Sequence, residues 1–299
     1  MKFKLSRKVK DEIAGLTFVS PVMIGIFVFN AIPICMSIFF SFTNYDNINP
    51  AEWIGIKNFI DLFKDEWVRN SFYRTFEYTL WSVPWNMFFG FFSALCMNSN
   101  VKAMATYRVL FYLPCIVPGI CSAMIWKDMF NPTMNGGFNR VFEALGLIEE
   151  PLTWFSHPDT VVFTMIFMSL FSFGGGCLLW LATFKGIPTS LYESAALDGA
   201  KWYHRLFKIT IPMCTPLIFY NLVTGIIGAL QASATAMLLT GGGPVGKTHY
   251  IAYNIYVTGL VQMDMGYACA QAWILTLIIM AFTLVLFKSG GWVYYGEDQ

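Results

Sequence analysis

Charge is what this chain has least of. Only 12% of its 299 residues are Asp, Glu, Lys or Arg, about half the roughly 25% usual in soluble domains. With 56% hydrophobic residues and a mean hydropathy of +0.55, it cannot cover a globular exterior, which points to an all-α, polytopic membrane protein. The short alternating segments of a membrane β-barrel are missing as well; the apolar stretches are runs of about 20 residues. Histidine is scarce, and His157, His204 and His249 fall in three separate loops, so no histidine metal cluster is expected. Seven cysteines (Cys35, Cys96, Cys115, Cys121, Cys177, Cys214 and Cys269) are scattered without C-x-x-C spacing. That excludes a disulfide framework or zinc site as the organising element and leaves small apolar fillers. A net charge of +1 gives no reason to expect a nucleic-acid partner. No Ser/His pair, paired carboxylate or metal spacing lies within the apolar runs, so no catalytic residue is expected.

The apolar sequence falls into six expected spans, at roughly 15–43, 72–97, 109–130, 160–184, 211–238 and 266–288. Each can cross about 30 Å of hydrocarbon at about 1.5 Å per residue. The first follows Lys2, Lys4, Arg7, Lys8 and Lys10 and is too long for a signal-peptide core; it reads as a retained span loosened by Pro21 and Pro33. The third, rich in Pro and Gly, is the one expected to break. A single membrane domain over 1–299 accommodates all six. Basic residues set the orientation. With the N-terminus inside, twelve of the 19 Lys and Arg lie on inner segments and seven on outer ones. Both ends and the 185–208 loop are therefore expected in the cytoplasm. The outer loops 44–71 and 131–159 place Trp53, Trp67 and Trp154 where an interfacial belt forms, with sugar stacking as the alternative role for any of them.

Gly241-Gly-Gly-Pro-Val-Gly246-Lys247-Thr248 matches the phosphate-loop pattern G-x-x-x-x-G-K-T. That loop needs a strand before it, a helix after it and backbone amides aimed at phosphates. Here a span precedes it, Pro244 has no amide, and the orientation puts it outside, away from ATP. It reads as a glycine-rich external turn.

Polar groups at membrane depth face a cavity or a neighbouring helix. At about 100° per residue, Asn221, Thr224, Gly228, Gln231 and Thr235 project within an arc of about 80°. In the fourth span Thr164, Met168, Phe171, Ser172 and Gly175 share about 100°. Gly174-Gly175-Gly176 would loosen that helix near mid-membrane, as in transporters whose sites use irregular backbone. The two stripes either line a passage or pack helices together through small and polar residues.

The most polar, best-capped segment is 188–216. Ser190 and Glu193 have the spacing of a capping box, and Gly199 is placed to end the helix in a left-handed conformation. A short helix over Leu191–Asp198 is expected, then a bend and a second helical segment through Lys208. Glu193 is on spacing alone the capping acid, and Asp198-Gly199 a plain helix end. Ala195 and Ala196 leave the backbone open to close approach beside Leu191 and Leu197.

Glu193-Ser194-Ala195-Ala196-Leu197-Asp198-Gly199-Ala200, followed by Phe207, Ile209, Ile211-Pro212 and Pro216, closely resembles the EAA signature of binding-protein-dependent ABC importers, E-A-A-x-x-D-G-A with I-x-L-P-x-x-x-P. Ser194 stands for alanine and Ile211 for leucine. Gly55-Ile-Lys-Asn-Phe59, Arg108-Val-Leu-Phe111-Tyr-Leu113-Pro114, Gly137-Phe138-Asn139 and Thr240-Gly-Gly-Gly-Pro244 resemble further elements of the maltose, multiple-sugar and glycerol-3-phosphate permeases. The resemblance implies a type I importer transmembrane fold in a bacterial or archaeal cytoplasmic (inner) membrane. It implies a second homologous permease, two cytoplasmic ATPase subunits that use ATP and Mg, an extracytoplasmic solute-binding protein and a carbohydrate or similar polyol as substrate. Residues 193–200 would form the coupling helix in a groove of the ATPase, and this subunit itself would hold no cofactor. Phe171, Ser172, Gly175, Asn221, Thr224, Gly228, Gln231 and Thr235 are then the pathway candidates. A secondary active solute transporter is the rival class; it would favour a buried ionisable residue and an internal repeat. Glu77 is the one acidic residue well inside a span, and no repeat is visible.

Overall fold

The structure, a computed structural model, describes residues 7–99, 102, 104–171 and 174–294. In chain order its helices are α1 Lys10–Ser41, α2 Lys57–Lys64, α3 Glu66–Met97, α4 Met104–Ile116, α5 Gly119–Met129, α6 Gly137–Ala144 and α7 Val161–Leu170. They continue with α8 Gly174–Gly186, α9 Thr189–Leu197, α10 Trp202–Met213, α11 Thr215–Leu230, α12 Ala234–Leu239, α13 Ile251–Val261 and α14 Met265–Lys288. The described residues contain no strand beyond the isolated bridge of Thr43 with Trp53.

Proline shapes these helices more than charge does. Pro33 has no N–H to return to the preceding turn, and α1 widens just before it into a π-helical segment, Phe27–Ala31. The same happens before Pro212, where α10 contains the π-helical turn Leu206–Thr210. At Pro118 the expected third span is broken outright, with α5 turned by 100° from the end of α4. Two further spans are interrupted, the fourth next to the Gly174–Gly176 run expected to loosen it and the fifth where no break was expected. The fourth is divided into α7 and α8, with Phe171 closing α7 through its amide to Met168 O at 3.1 Å. The fifth ends at Leu230, where the Ala232 amide tightens to Ala229 O at 3.2 Å. Gln231-Ala-Ser supplies no apolar face to keep that helix going before α12.

Two compact units are distinguished, Met1–Lys64 with Ile255–Ile274 and Asp65–Asn254 with Leu275–Gln299. In the first, Asn58 of the Gly55–Phe59 element is buried and donates to Ser41 O at 3.0 Å and Thr43 O at 2.8 Å, satisfying carbonyls at the end of α1 that have no intrahelical partner. Gly266 gives its amide to Tyr45 O at 2.8 Å. A β-carbon there would lie 2.1 Å from Thr43 O, so only glycine allows the approach.

The second unit is built around α3. Asp65 caps it, accepting from the amides of Trp67 and Val68 at 2.8 and 3.3 Å. Ser71, Thr75, Thr79, Ser82, Gly90, Ser93 and Met97 form one buried stripe along it, each three, four or eight residues from the last, so that small side chains let α7, α8 and α11 come close. One apolar cluster, with Met97, Trp180, Phe184 and Cys214, lies at the α9 end. Another, with Phe130, Trp154, Met165 and Tyr250, packs the 131–159 loop against α5, α7 and α12. Within it Asn139 is fully buried, donating to the carbonyls of Asn131, Thr133 and Leu152 at 3.1–3.2 Å and accepting from Trp154 Nε1 at 2.9 Å.

Candidate functional site

The 188–216 loop folds as a short helix held out from the protein. Pro188, with φ −57° and ψ 129°, sets the chain direction and α9 starts at Thr189. Ser190 therefore sits inside the first turn and makes no cap bond, and Glu193 lies beyond reach of the capping position. The expected capping box is not formed, because the proline's fixed φ starts the helix early. The far end forms as its sequence predicts. Gly199 has φ +70°, the Ala200 amide donates to Ala195 O at 2.8 Å, and the Gly199 amide donates to Ala196 O at 3.1 Å; this is a Schellman end. No residue of α9 is buried, and Leu197 is 91% exposed. Phe207 of the signature, and Trp202, which the sequence reading did not single out, extend the exposed apolar surface to α10.

A second feature lies deeper, between α3, α8 and α11. A cavity of about 370 Å³ is lined by Tyr78, Ser82, Asn86, Trp180, Asn221 and Thr224, with Gly228 and Gly176 among the small residues that open it. Its neighbour, about 390 Å³, shares Tyr78 and adds Ser169, Met168, Trp126 and Thr235. Among the described residues, no Lys, Arg, Asp or Glu lines either one. Asn86 donates through Nδ2 to Ser82 O at 2.8 Å and to Ser169 Oγ at 2.9 Å. Asn221 Nδ2 turns back to Leu217 O at 3.0 Å, and the Thr224 hydroxyl to Tyr220 O at 2.8 Å. Both N–H groups of Asn86 are thus engaged, one of them across to α7, whereas Asn221 keeps one N–H and both side chains keep their carboxamide oxygens, so the cavity offers a solute uncharged donors and acceptors.

The predicted pathway residues are thus only partly brought together. Asn221, Thr224 and Gly228 share the first cavity and Thr235 lines the second. Gln231 is exposed at the end of α11 and lines neither. The arc containing it assumed a helix that continues past Leu230, and the helix stops there. Phe171 faces an apolar groove with Trp81, Trp85 and Phe167. Ser172 lies outside the described residues, and Gly175 stands in the first turn of α8. Tyr78, Ser82 and Asn86 escaped the sequence reading, although the stripe from Ser71 to Met97 carried their signal.

The glycine-rich 241–248 segment holds no strand and follows α12. Thr248, the residue a phosphate loop would turn to magnesium, is buried with its hydroxyl 2.6 Å from Thr240 Oγ1 and 2.7 Å from Gly243 O. Beside it His249 is buried, Nε2 lying 2.9 Å from Asn254 Oδ1, with the Trp67 ring at 4.9 Å. Burial holds its pKa below the ordinary histidine value, opposed by the Asn254 bond.

The family model for binding-protein-dependent transport system inner membrane components matches residues 86–293. A probable ABC transporter permease protein of Bacillus subtilis, YesP, is 38% identical over 99% of this chain and 97% of its own. The sn-glycerol-3-phosphate transport system permease protein UgpA of Pectobacterium atrosepticum is 29% identical, covering 90% and 91%. The trehalose/maltose transport system permease protein MalF of Thermococcus litoralis is 28% identical, covering 95% of both chains. Among solved structures, a bacterial ABC transporter involved in the import of the acidic polysaccharide alginate superposes with a TM-score of 0.84 at 21% identity, over 95% of this chain and 97% of that one. The same fold recurs, with a TM-score of 0.85 at 20% identity over 96% and 97%, in the alginate transporter in complex with an alginate pentasaccharide-bound periplasmic protein. The chain therefore belongs to the binding-protein-dependent transport system inner membrane components, the multi-pass permease subunits of ABC transporters.

Proposed function

We propose that this permease forms half of the passage for a neutral carbohydrate or similar polyol and takes its mechanical input through α9. A second homologous permease would supply the other half, two cytoplasmic subunits would bind ATP and Mg, and an extracytoplasmic binding protein would deliver the solute. Both termini then face the cytoplasm, on the side where basic residues concentrate. Closure of the ATPase pair moves α9, and the spans attached to it rock from inward- to outward-open. The observation that carries the coupling role is the exposed, Schellman-ended α9, whose EAA residues Glu193–Ala200 present Leu197 and small side chains to a partner.

The substrate class rests on the cavities. Uncharged amide and hydroxyl side chains suit the hydroxyls of a sugar and offer an anion no compensating charge. The named solutes of relatives, trehalose/maltose and sn-glycerol-3-phosphate, span both chemistries; the cavity favours the first. A secondary carrier is disfavoured because Glu77, its one candidate coupling acid, is held by Arg74 Nη1 at 2.7 Å.

Leu197→Asp tests the coupling role. In the complex purified through a tag on this permease, the variant is expected to lose at least nine-tenths of the co-purifying ATPase while its melting temperature stays at the parental value. Retained ATPase with undiminished uptake in proteoliposomes refutes the proposal, and so does parental uptake that needs an ion gradient but no ATPase.

A further inference from the structure

Helix α9 has no fully buried residue, so something must stop a push on it from being lost in bending at Pro188 or Gly199. Tyr192 supplies the hold. Its ring packs against the cluster containing Phe184 and Cys214, and its hydroxyl lies 2.9 Å from Thr210 Oγ1, 18 residues away. Thr210 is buried and donates to Arg205 O at 3.3 Å, which leaves its oxygen to accept from Tyr192. Arg205 in turn donates through Nε to Ala200 O at 3.0 Å, and Ala200 closes the Schellman end of α9 through Ala195 O at 2.8 Å. The circuit thus runs from the middle of α9 to the π-helical turn Leu206–Thr210 and back to the end of α9. That turn leads through Pro212 into α11, the helix that lines the polar cavity with Asn221 and Thr224.

We propose that the Tyr192–Thr210–Arg205–Ala200 circuit is the rigid joint that converts displacement of α9 into movement of α11, with Tyr192 as its positioning residue. The joint rests on the coupling role proposed for α9. Phenylalanine at 192 keeps the ring in its cluster and removes only the oxygen, which separates the joint from packing.

The test measures solute imported per ATP hydrolysed by the complete transporter in proteoliposomes. Tyr192→Phe and Thr210→Val are each expected to lower that ratio about twofold to tenfold, the range one hydrogen bond spans. ATP turnover and ATPase co-purification should stay at parental levels. The double variant should fall no further than the worse single one, and Thr210→Ser, which keeps the hydroxyl, should retain the parental ratio. A parental ratio in Tyr192→Phe overturns the joint, as does a double variant whose loss is the product of the two singles. Should Thr210→Val not fold, Tyr192→Phe and Thr210→Ser decide. Failure of the coupling role itself shows separately, as retained ATPase and uptake in Leu197→Asp.

Discussion

Gly199 allows the coupling role to be tested by backbone conformation alone. Its φ of +70° lies in the left-handed region, and no atom outside its own neighbourhood lies within 4 Å of where a β-carbon would stand. Alanine therefore meets no steric obstacle and bears only the conformational cost, roughly 1–2 kcal/mol, which shifts the local equilibrium about fivefold to thirtyfold. Asparagine tolerates this region better and should lose less. Proline cannot adopt it and also deletes the amide that donates to Ala196 O at 3.1 Å. Because α9 has no buried residue, the cost falls on the local ending of one helix and the global melting temperature should not move. Uptake per co-purified transporter is expected to rank Gly, Asn, Ala, Pro, with alanine several-fold below the parent and proline near background. Equal uptake by all four refutes the reasoning, and so does asparagine falling below alanine, which would make side-chain size the determinant.

Asn86→Leu and Asn221→Leu should each raise the solute concentration for half-maximal uptake by about tenfold without loss of ATPase, whereas Gln231→Leu, outside both cavities, should leave it unchanged; concentration-dependent uptake checks all three. His249 gives a pH signature: burial depresses its folded pKa below the ordinary 6.5, so its contribution is intact above 6.5 and is lost as pH falls from there toward the folded pKa. The melting temperature of detergent-solubilised protein should thus drop more between pH 7 and 5 for the parent than for His249→Gln, and equal drops would contradict the burial argument.

Much of the site was legible because it is local. Gly199 terminates α9 through bonds reaching no more than five residues back, and the glycine alone announces it. Pro118 and Pro212 mark the break between α4 and α5 and the π-helical turn of α10 for the same reason: a missing N–H acts on its own helix. The start of α9 misled because Ser190 and Glu193 fit a capping box equally well, and the choice fell to the φ of Pro188. The arc through Gln231 and Thr235 failed because periodicity continues on paper past Leu230, whereas a helix continues only while burial or bonding holds it. The stripe on α3 was present in the sequence, but serine, threonine and glycine at such spacing serve packing and passage alike.

The sequence by itself determined a membrane protein of apolar helices, a short polar helix among them and the conformation of its glycine end. These follow from composition and from forces that act within a turn or two. Only the tertiary structure decided that Asn86 of α3 and Asn221 of α11 line one cavity, that Asn86 is bonded to Ser169 of α7, and that Tyr192 is bonded to Thr210. Burial of apolar surface is non-directional and names no partner, so which helices meet, and which polar atoms then find each other, is settled by how the spans fit together.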